Sequence, residues 1–175
     1  MANLKVQIGG TIYQINEKAL RKTGWNKEPI TPYFYASYVA AGQLVKQWVK
    51  NNYPNVVCRV KGSSFANGNS MSVNVSNVDG SPISDVDYQA INNFAHLFEY
   101  GRYDGQHDLY ESYESSGLKT DNGTKIEAGV KYVSVDNRPS FGTVEWARYE
   151  LSTGREYKEL SRYCDTKILD KAMGL

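Results

Sequence analysis

The hydrophobic period of the chain changes at Pro54. Before it, in YFYASYVAAGQLVKQWVKNNY, Val39, Leu44, Val45, Trp48 and Val49 recur at helical spacing on one face, while Lys46 and Lys50 point away. After it the period is two. Val56, Cys58 and Val60 alternate with Val57, Arg59 and Lys61, and Met71, Val73 and Val75 alternate with Ser72, Asn74 and Ser76. A helix with one apolar stripe and two strands with one apolar face each must bury those faces against one another. Thr31 as a cap and Pro32 in the first turn predict where the helix begins, and Asn51, Asn52 and Pro54 end it. FANGNS reads as the Gly/Asn/Ser loop joining the two strands.

A second helix follows the VDGSP turn. Ser84 or Asp85 caps DVDYQAINNFAHLFEY, with Val86, Ala90, Ile91, Phe94 and Leu97 expected on one face. VKYVSVDNRP supplies a third strand after a polar loop, SSGLKTDNGTK. LKVQIGGTIYQI predicts an N-terminal hairpin turning at Gly9-Gly10. TVEWARYEL and EYKELSRYCDTKILDKAMGL read as helical, the latter with Leu160, Cys164, Ile168 and Ala172 every four residues. The expectation is an α+β fold: an antiparallel sheet of three or more strands packed by two core helices, with an N-terminal β-hairpin and a helical C-terminus. In domain terms, residues 1–30 form the hairpin and a basic loop, 31–140 the α+β core, and 141–175 a helical extension packed on it.

At 175 residues this is one domain's worth of chain. No apolar run has signal-peptide or membrane-spanning length, so the expected location is the cytoplasm, that of a host included. Cys58 and Cys164 lie in no zinc-ligand spacing. They read as buried thiols of a reducing compartment, with a disulfide between them as the alternative. The fourteen tyrosines suit half-buried rims and interfaces. The near-neutral total conceals an asymmetry. Residues 1–62 carry nine Lys and Arg against two Asp and Glu, whereas residues 79–127 carry three against ten. Such blocks either pair internally or present faces of opposite sign.

Chemistry concentrates in FEYGRYDGQHDLYESYE, residues 98–114, expected to be irregular. Asp104, His107 and Asp108 lie within five residues and are metal-ligand types. Three ligands from one short loop rarely complete a shell, and His96, the only other imidazole, sits at a helix edge. No nucleophile elbow, phosphate loop or deaminase signature is present. No catalytic residue, metal or cofactor is therefore assigned, and a metal-dependent hydrolase using residues 104–108 stands only as a third reading. Gly101 and Gly105 read as turn makers, Asp104 and Asp108 as backbone caps, and the tyrosines as core rim. The acidic-aromatic residues Tyr103, Asp104, Asp108, Tyr110, Glu111, Tyr113 and Glu114 form the candidate partner-binding set, with carboxylates steering and tyrosines anchoring. Within it, Glu111, Tyr113 and Glu114 are the residues expected to be left at the surface. A second reading places nucleic acid on the N-terminal basic block, through Lys22, Trp25, Lys27, Lys46, Lys50, Arg59 and Lys61.

The run AAGQLVKQWVKNNYPNVVCRVKGSSFANGNSMSVNV, the segment GRYDGQHDLYESYE and the strand-and-turn GVKYVSVDNRPS together resemble the large polyvalent protein-associated domain family, type twenty-nine, over roughly residues 36–140. The resemblance implies a phage-type or mobile-element accessory protein and carries no catalytic residues. Joined to the charge split, it leads to the expectation of a non-enzymatic protein that binds a host protein or ribonucleoprotein complex. Interference with nucleic-acid handling or defence, as in anti-CRISPR inhibition, would be the outcome. Direct nucleic-acid binding is the alternative, and no membrane is involved.

Overall fold

The computed structural model describes residues 3–16, 20–21, 33–104, 109–112 and 115–175. Strands β1 (Asn3–Ile8) and β2 (Thr11–Asn16) form the expected antiparallel hairpin. Its turn needs positive φ at both central residues, and Gly9 and Gly10 supply it at 57° and 81°. Next come the short β3 (Leu20–Arg21), β4 (Tyr33–Ser37) and helix α1 (Tyr38–Asn52). Thr31 and Pro32, the expected helix start, lie outside the described residues, and the helix begins at Tyr38. The preceding aromatic run is a strand because it has partners on both sides. It pairs antiparallel with β3, and parallel with a strand far along the chain.

Strands β5 (Val57–Phe65) and β6 (Gly68–Ser76) pair along all nine residues, from Val57 opposite Ser76 to Phe65 opposite Gly68. The expected FANGNS loop shrinks to a tight turn because both strands extend into it. Helix α2 (Asp85–His96) starts at the Ser84 cap, whose hydroxyl accepts from the Asp87 amide. After it come β7 (Gly101–Asp104), β8 (Leu109–Ser112), β9 (Ser115–Lys119), β10 (Lys125–Gly129) and β11 (Tyr132–Asp136). The stretch expected to be irregular thus holds the β7–β8 pair. The polar segment read as a loop is the β9–β10 hairpin, and β10 is the parallel partner of β4. Helices α3 (Val144–Ser152), α4 (Tyr157–Leu160) and α5 (Thr166–Ala172) end the chain. Ser161–Asp165 interrupts the last helical run, and the Asp165 side chain caps α5 by accepting from the Lys167 amide.

The α+β architecture expected from the sequence is the one observed. The central sheet has the order β11-β6-β5, with β5 antiparallel and β11 parallel to β6. The parallel pairing is possible because α2 and the intervening strands carry the chain back between β6 and β11. One face of this sheet is apolar. Met71, Val73 and Val75 of β6 are fully buried, against Leu44, Val45 and Val49 of α1 and Ile91 and Ala95 of α2. Trp48 stacks on Phe94 at 4.3 Å, and Phe94 meets the buried Phe98 edge-on at 5.7 Å. Val86 and Leu97, expected on the inner face of α2, are exposed. At 100° per residue they fall well away from Ile91, whereas Tyr88, Phe94, Ala95 and Phe98 cluster around it.

The N-terminal hairpin joins the same core through Val6, Tyr13 and Ile15. Two glutamines of α1 hydrogen-bond to the backbone of β2. Gln47 accepts from the Gln14 amide and donates to its carbonyl, both at 2.8 Å, and Gln43 accepts from Asn16 at 2.9 Å. The Asp121 carboxylate, in the β9–β10 turn, accepts from the Gly9 and Gly10 amides at 2.8 and 2.9 Å.

The C-terminal helices enclose a second apolar cluster, of Trp146, Ala147, Leu160 and Leu169. They meet the sheet and the loop after β6 through polar contacts. Arg59 of β5 grips the nearly buried Glu145 with two guanidinium nitrogens, at 2.9 and 3.1 Å. Arg148 donates to the Val78 carbonyl at 3.0 Å. Gly80, at φ 86°, lies so close beneath α3 that a Cβ there would come within 2.6 Å of the Tyr149 Cβ. Burial pushes the Glu145 carboxyl up. The backbone hydrogen bond, the Arg59 guanidinium and the Thr143 hydroxyl outweigh it and hold the group below the usual carboxylate range.

Leu44→Ala is expected to destabilise the chain by about 2–5 kcal/mol, the cost of a cavity in a fully packed site, measured by urea unfolding. Glu145→Gln is expected to cost ~1 kcal/mol, since Arg59 stays half exposed. Because the folded carboxyl binds its proton less tightly than the unfolded one, its contribution is complete above the ordinary Glu value of about 4.3. It fades as pH falls through the lower folded value. Acid titration of stability, with Trp146 as the optical reporter, should lose that component in the variant; identical pH profiles would contradict the assignment.

Candidate functional site

The acidic-aromatic stretch is anchored before it becomes a ribbon. Phe98 is fully buried, and its carbonyl accepts from the Val130 amide at 2.9 Å. The Val130 carbonyl in turn accepts from the Tyr100 amide at 2.9 Å. The Glu99 carboxylate accepts from the Val133 amide at 2.7 Å. One acid of the stretch is thus committed to holding the start of β11. Gly101, expected to make a turn, is instead a buried strand residue.

Strands β7 and β8 form a two-stranded antiparallel sheet of their own. Tyr103 is directly opposite Tyr110, Arg102 opposite Glu111, and Asp104 opposite Leu109. Positions 103 and 110 therefore share one face of the ribbon, and 102, 104, 109 and 111 share the other. Four of the seven residues of the partner set, Tyr103, Asp104, Tyr110 and Glu111, are brought together in this way. Asp108, Tyr113 and Glu114, together with Gly105 and His107, lie outside the described residues. Among the described residues, no three His, Cys, Asp or Glu groups are placed to share a metal ion. The other imidazole, His96, is half-buried with Nδ1 2.8 Å from the Asn92 carbonyl oxygen.

The basic set divides. Lys22, Trp25 and Lys27 lie outside the described residues. Lys46 and Lys50 are exposed on α1 and, with Pro54, Val56 and Cys58, line a hollow of about 240 Å³. Arg59 and Lys61 belong to the opposite face of the sheet, since alternation along β5 separates them from Cys58 and Val60. The two pairs do not form one patch, and Arg59 is engaged by Glu145.

That opposite face carries residues the sequence reading did not select. Phe65 and Tyr132 are 46% and 50% exposed, and their rings stack with centroids 6.2 Å apart and planes 19° from parallel. The signal available in the sequence was the strand period. Both aromatics occupy the polar register of an alternating strand, where an apolar ring faces water.

Cys58 and Cys164 are free, half-buried thiols. Burial pushes the Cys58 thiol up to about 11, with a smaller opposing pull from Lys46. The thiol is therefore protonated at neutral pH. Iodoacetamide labelling of Cys58 at pH 8 is expected to run ~100-fold slower in the native chain than in urea, because the thiolate is the reactive form. Equal rates in peptide mass spectrometry would contradict this.

Among the described residues, no helix is long and apolar enough to cross a membrane. Searches of curated proteins and of solved structures give no match. The family model described as Large polyvalent protein associated domain 29 matches residues 37–140. The match runs from the residue before α1 to just beyond β11, taking in both core helices, the central sheet and the acidic-aromatic ribbon. With more than half of its length matched, the chain belongs to the Large polyvalent protein associated domain 29 family, whose members are associated with phages and mobile elements.

Proposed function

We propose that the chain is a non-enzymatic accessory protein of a phage or mobile element that acts by binding. Its target is a host complex that handles nucleic acid or provides defence, such as a CRISPR effector, and it acts in the host cytoplasm. The contact is made by the acidic-aromatic ribbon, which occupies a basic surface of the target. The supporting observation is the register of β7 and β8. It sets Tyr103 against Tyr110 on one face, with Asp104 and Glu111 on the other, on a root fixed by Phe98 and Val130. The tyrosine face provides contact area to desolvate, and the carboxylates of the other face provide long-range steering toward Lys and Arg. A ribbon rooted in the core also loses less conformational freedom on binding than a loose segment would.

The test is affinity purification of the tagged chain from host cells after nuclease treatment, followed by mass spectrometry. One nucleic-acid-handling complex is expected to co-purify with the native chain. It should fall at least tenfold with the variant carrying Asp104→Asn, Asp108→Asn and Glu111→Gln, whose folding is checked by circular dichroism. Recovery of the same complex in unchanged amount with that variant would defeat the proposal.

A further inference from the structure

The central sheet has one covered face and one largely open face. On the open face the register aligns Ser63, Ser70 and Tyr132 in one row across the three strands. Lys61, Ser72 and Ser134 form the next row, and Arg59, Asn74 and Asp136 the one after. Helix α3 reaches this face at Arg59, whereas Lys61, Ser63, Phe65, Tyr132 and Ser134 stay exposed. Phe65 and Tyr132 come from the two outer strands and meet over β6. They can do so because Phe65 faces Gly68, which has no side chain to separate them.

Around this aromatic pair the face is cationic and rich in hydroxyls. The Lys131 ammonium lies 5.5 Å from the Tyr132 ring centroid and donates to the Asn67 carbonyl at 3.0 Å. Lys61 is exposed one row below the rings, and the Arg138 side chain is 75% exposed at the far end of the face, beside Asn74. The carboxylates nearby are Glu99, which accepts from the Val133 amide beside Tyr132 at 2.7 Å, Asp136, 3.8 Å from Arg138, and Glu145, held by Arg59. The serine hydroxyls pair across the strands, Ser63 with Ser70 at 2.9 Å and Ser134 with Ser72 at 3.3 Å.

We propose that this face binds single-stranded nucleic acid. Every unpaired base has a flat π-face that stacks on an exposed aromatic, and this contact tolerates any sequence. Exposed aromatics on an open sheet face, flanked by cations, meet that requirement together with the phosphate charge. A base stacks on the Phe65–Tyr132 pair, and the strand runs past Lys131 and Lys61 with the serine rows beneath it. A neutral sugar would use the rings and hydroxyls but leave the cations without a role. An acidic protein would use the cations but has no need of a flat aromatic floor. A duplex keeps its base faces inside its own stack. The site uses none of the ribbon's partner-binding residues, although the root of the ribbon is bonded to Val130 and Val133 beside it, and it goes beyond the function proposed above. It shares only Lys61 with the basic block anticipated from the sequence, since Arg59 is held by Glu145.

The test is fluorescence anisotropy of the full chain with labelled oligothymidylate, oligouridylate and a blunt DNA duplex, each about twenty nucleotides long, at low and moderate salt. Binding to one or both single strands is expected, the two oligonucleotides distinguishing DNA from RNA. Phe65→Ala and Tyr132→Ala should each weaken it about tenfold. Lys61→Ala should flatten the salt dependence by about one phosphate contact. These positions are exposed, and circular dichroism verifies that each variant is folded. Lys61→Glu, a change of charge alone, provides a second route if an aromatic variant misfolds, and should weaken binding more than Lys61→Ala. Absence of single-strand binding at low salt would overturn the proposal. So would binding untouched by both aromatic variants, equal affinity for the duplex, or polyglutamate competing as well as unlabelled oligothymidylate.

Discussion

The fold depends on the alternation along β6. Met71, Val73 and Val75 send their side chains to one side of the central strand, and Ser70, Ser72 and Asn74 send theirs to the other. The first set is excluded from water by α1 and α2, at roughly 1.5–3 kcal/mol per buried side chain. A one-residue slip in register would exchange the two faces and put three serine and asparagine side chains into the core. The registers of β5 and β11 are set by the same requirement, because Val60 and Val133 must arrive on the buried side.

Everything else is placed by its relation to that sheet. The N-terminal hairpin adds Val6, Tyr13 and Ile15 to the same core, and is aligned by glutamines of α1 and by Asp121. The C-terminal helices keep an apolar cluster of their own, meet the sheet through Arg59, and meet the loop after β6 through Arg148 and the close approach at Gly80. The acidic-aromatic ribbon grows from Phe98, itself a core residue. Two features of different character result: a two-stranded ribbon whose sequence combines carboxylates with tyrosines, and a sheet face combining cations, hydroxyls and two stacked rings. The uneven distribution of charge along the chain is divided further in space, for Lys46 and Lys50 are on the helical side and Lys61 on the other.

The elements legible in the sequence are those whose signal is local. The stripe of α1, except for Val39, which is exposed, the alternation of β6, the Gly-Gly turn and the Ser84 cap each follow from residues within a few positions of one another. The illegible elements are those whose backbone partners lie far away. Tyr33, Phe34 and Tyr35 read as the start of a helix, and they are a strand because β10 pairs with them from some ninety residues downstream. The SSGLK segment is polar enough for a loop, yet Leu118 faces Ile126 across the β9–β10 pair. The acids and tyrosines of residues 98–114 were visible as a group, but not the ribbon that sets Tyr103 against Tyr110.

From the sequence alone came the α+β class, most of the apolar faces of the core and the family, since each rests on short-range periodicity or on a matching run of residues; Val39, Val86 and Leu97 are the exceptions, all exposed. Tertiary structure decided which polar residues share a surface. Arg59 and Lys61 are two residues apart and belong to one face, while Lys46 and Cys58, from separate elements, meet around one hollow. Phe65 and Tyr132, far apart in sequence, become a stacked pair. The physical reason is that apolar residues must go inside wherever the chain runs, whereas a polar surface is assembled only once strand order and register are settled.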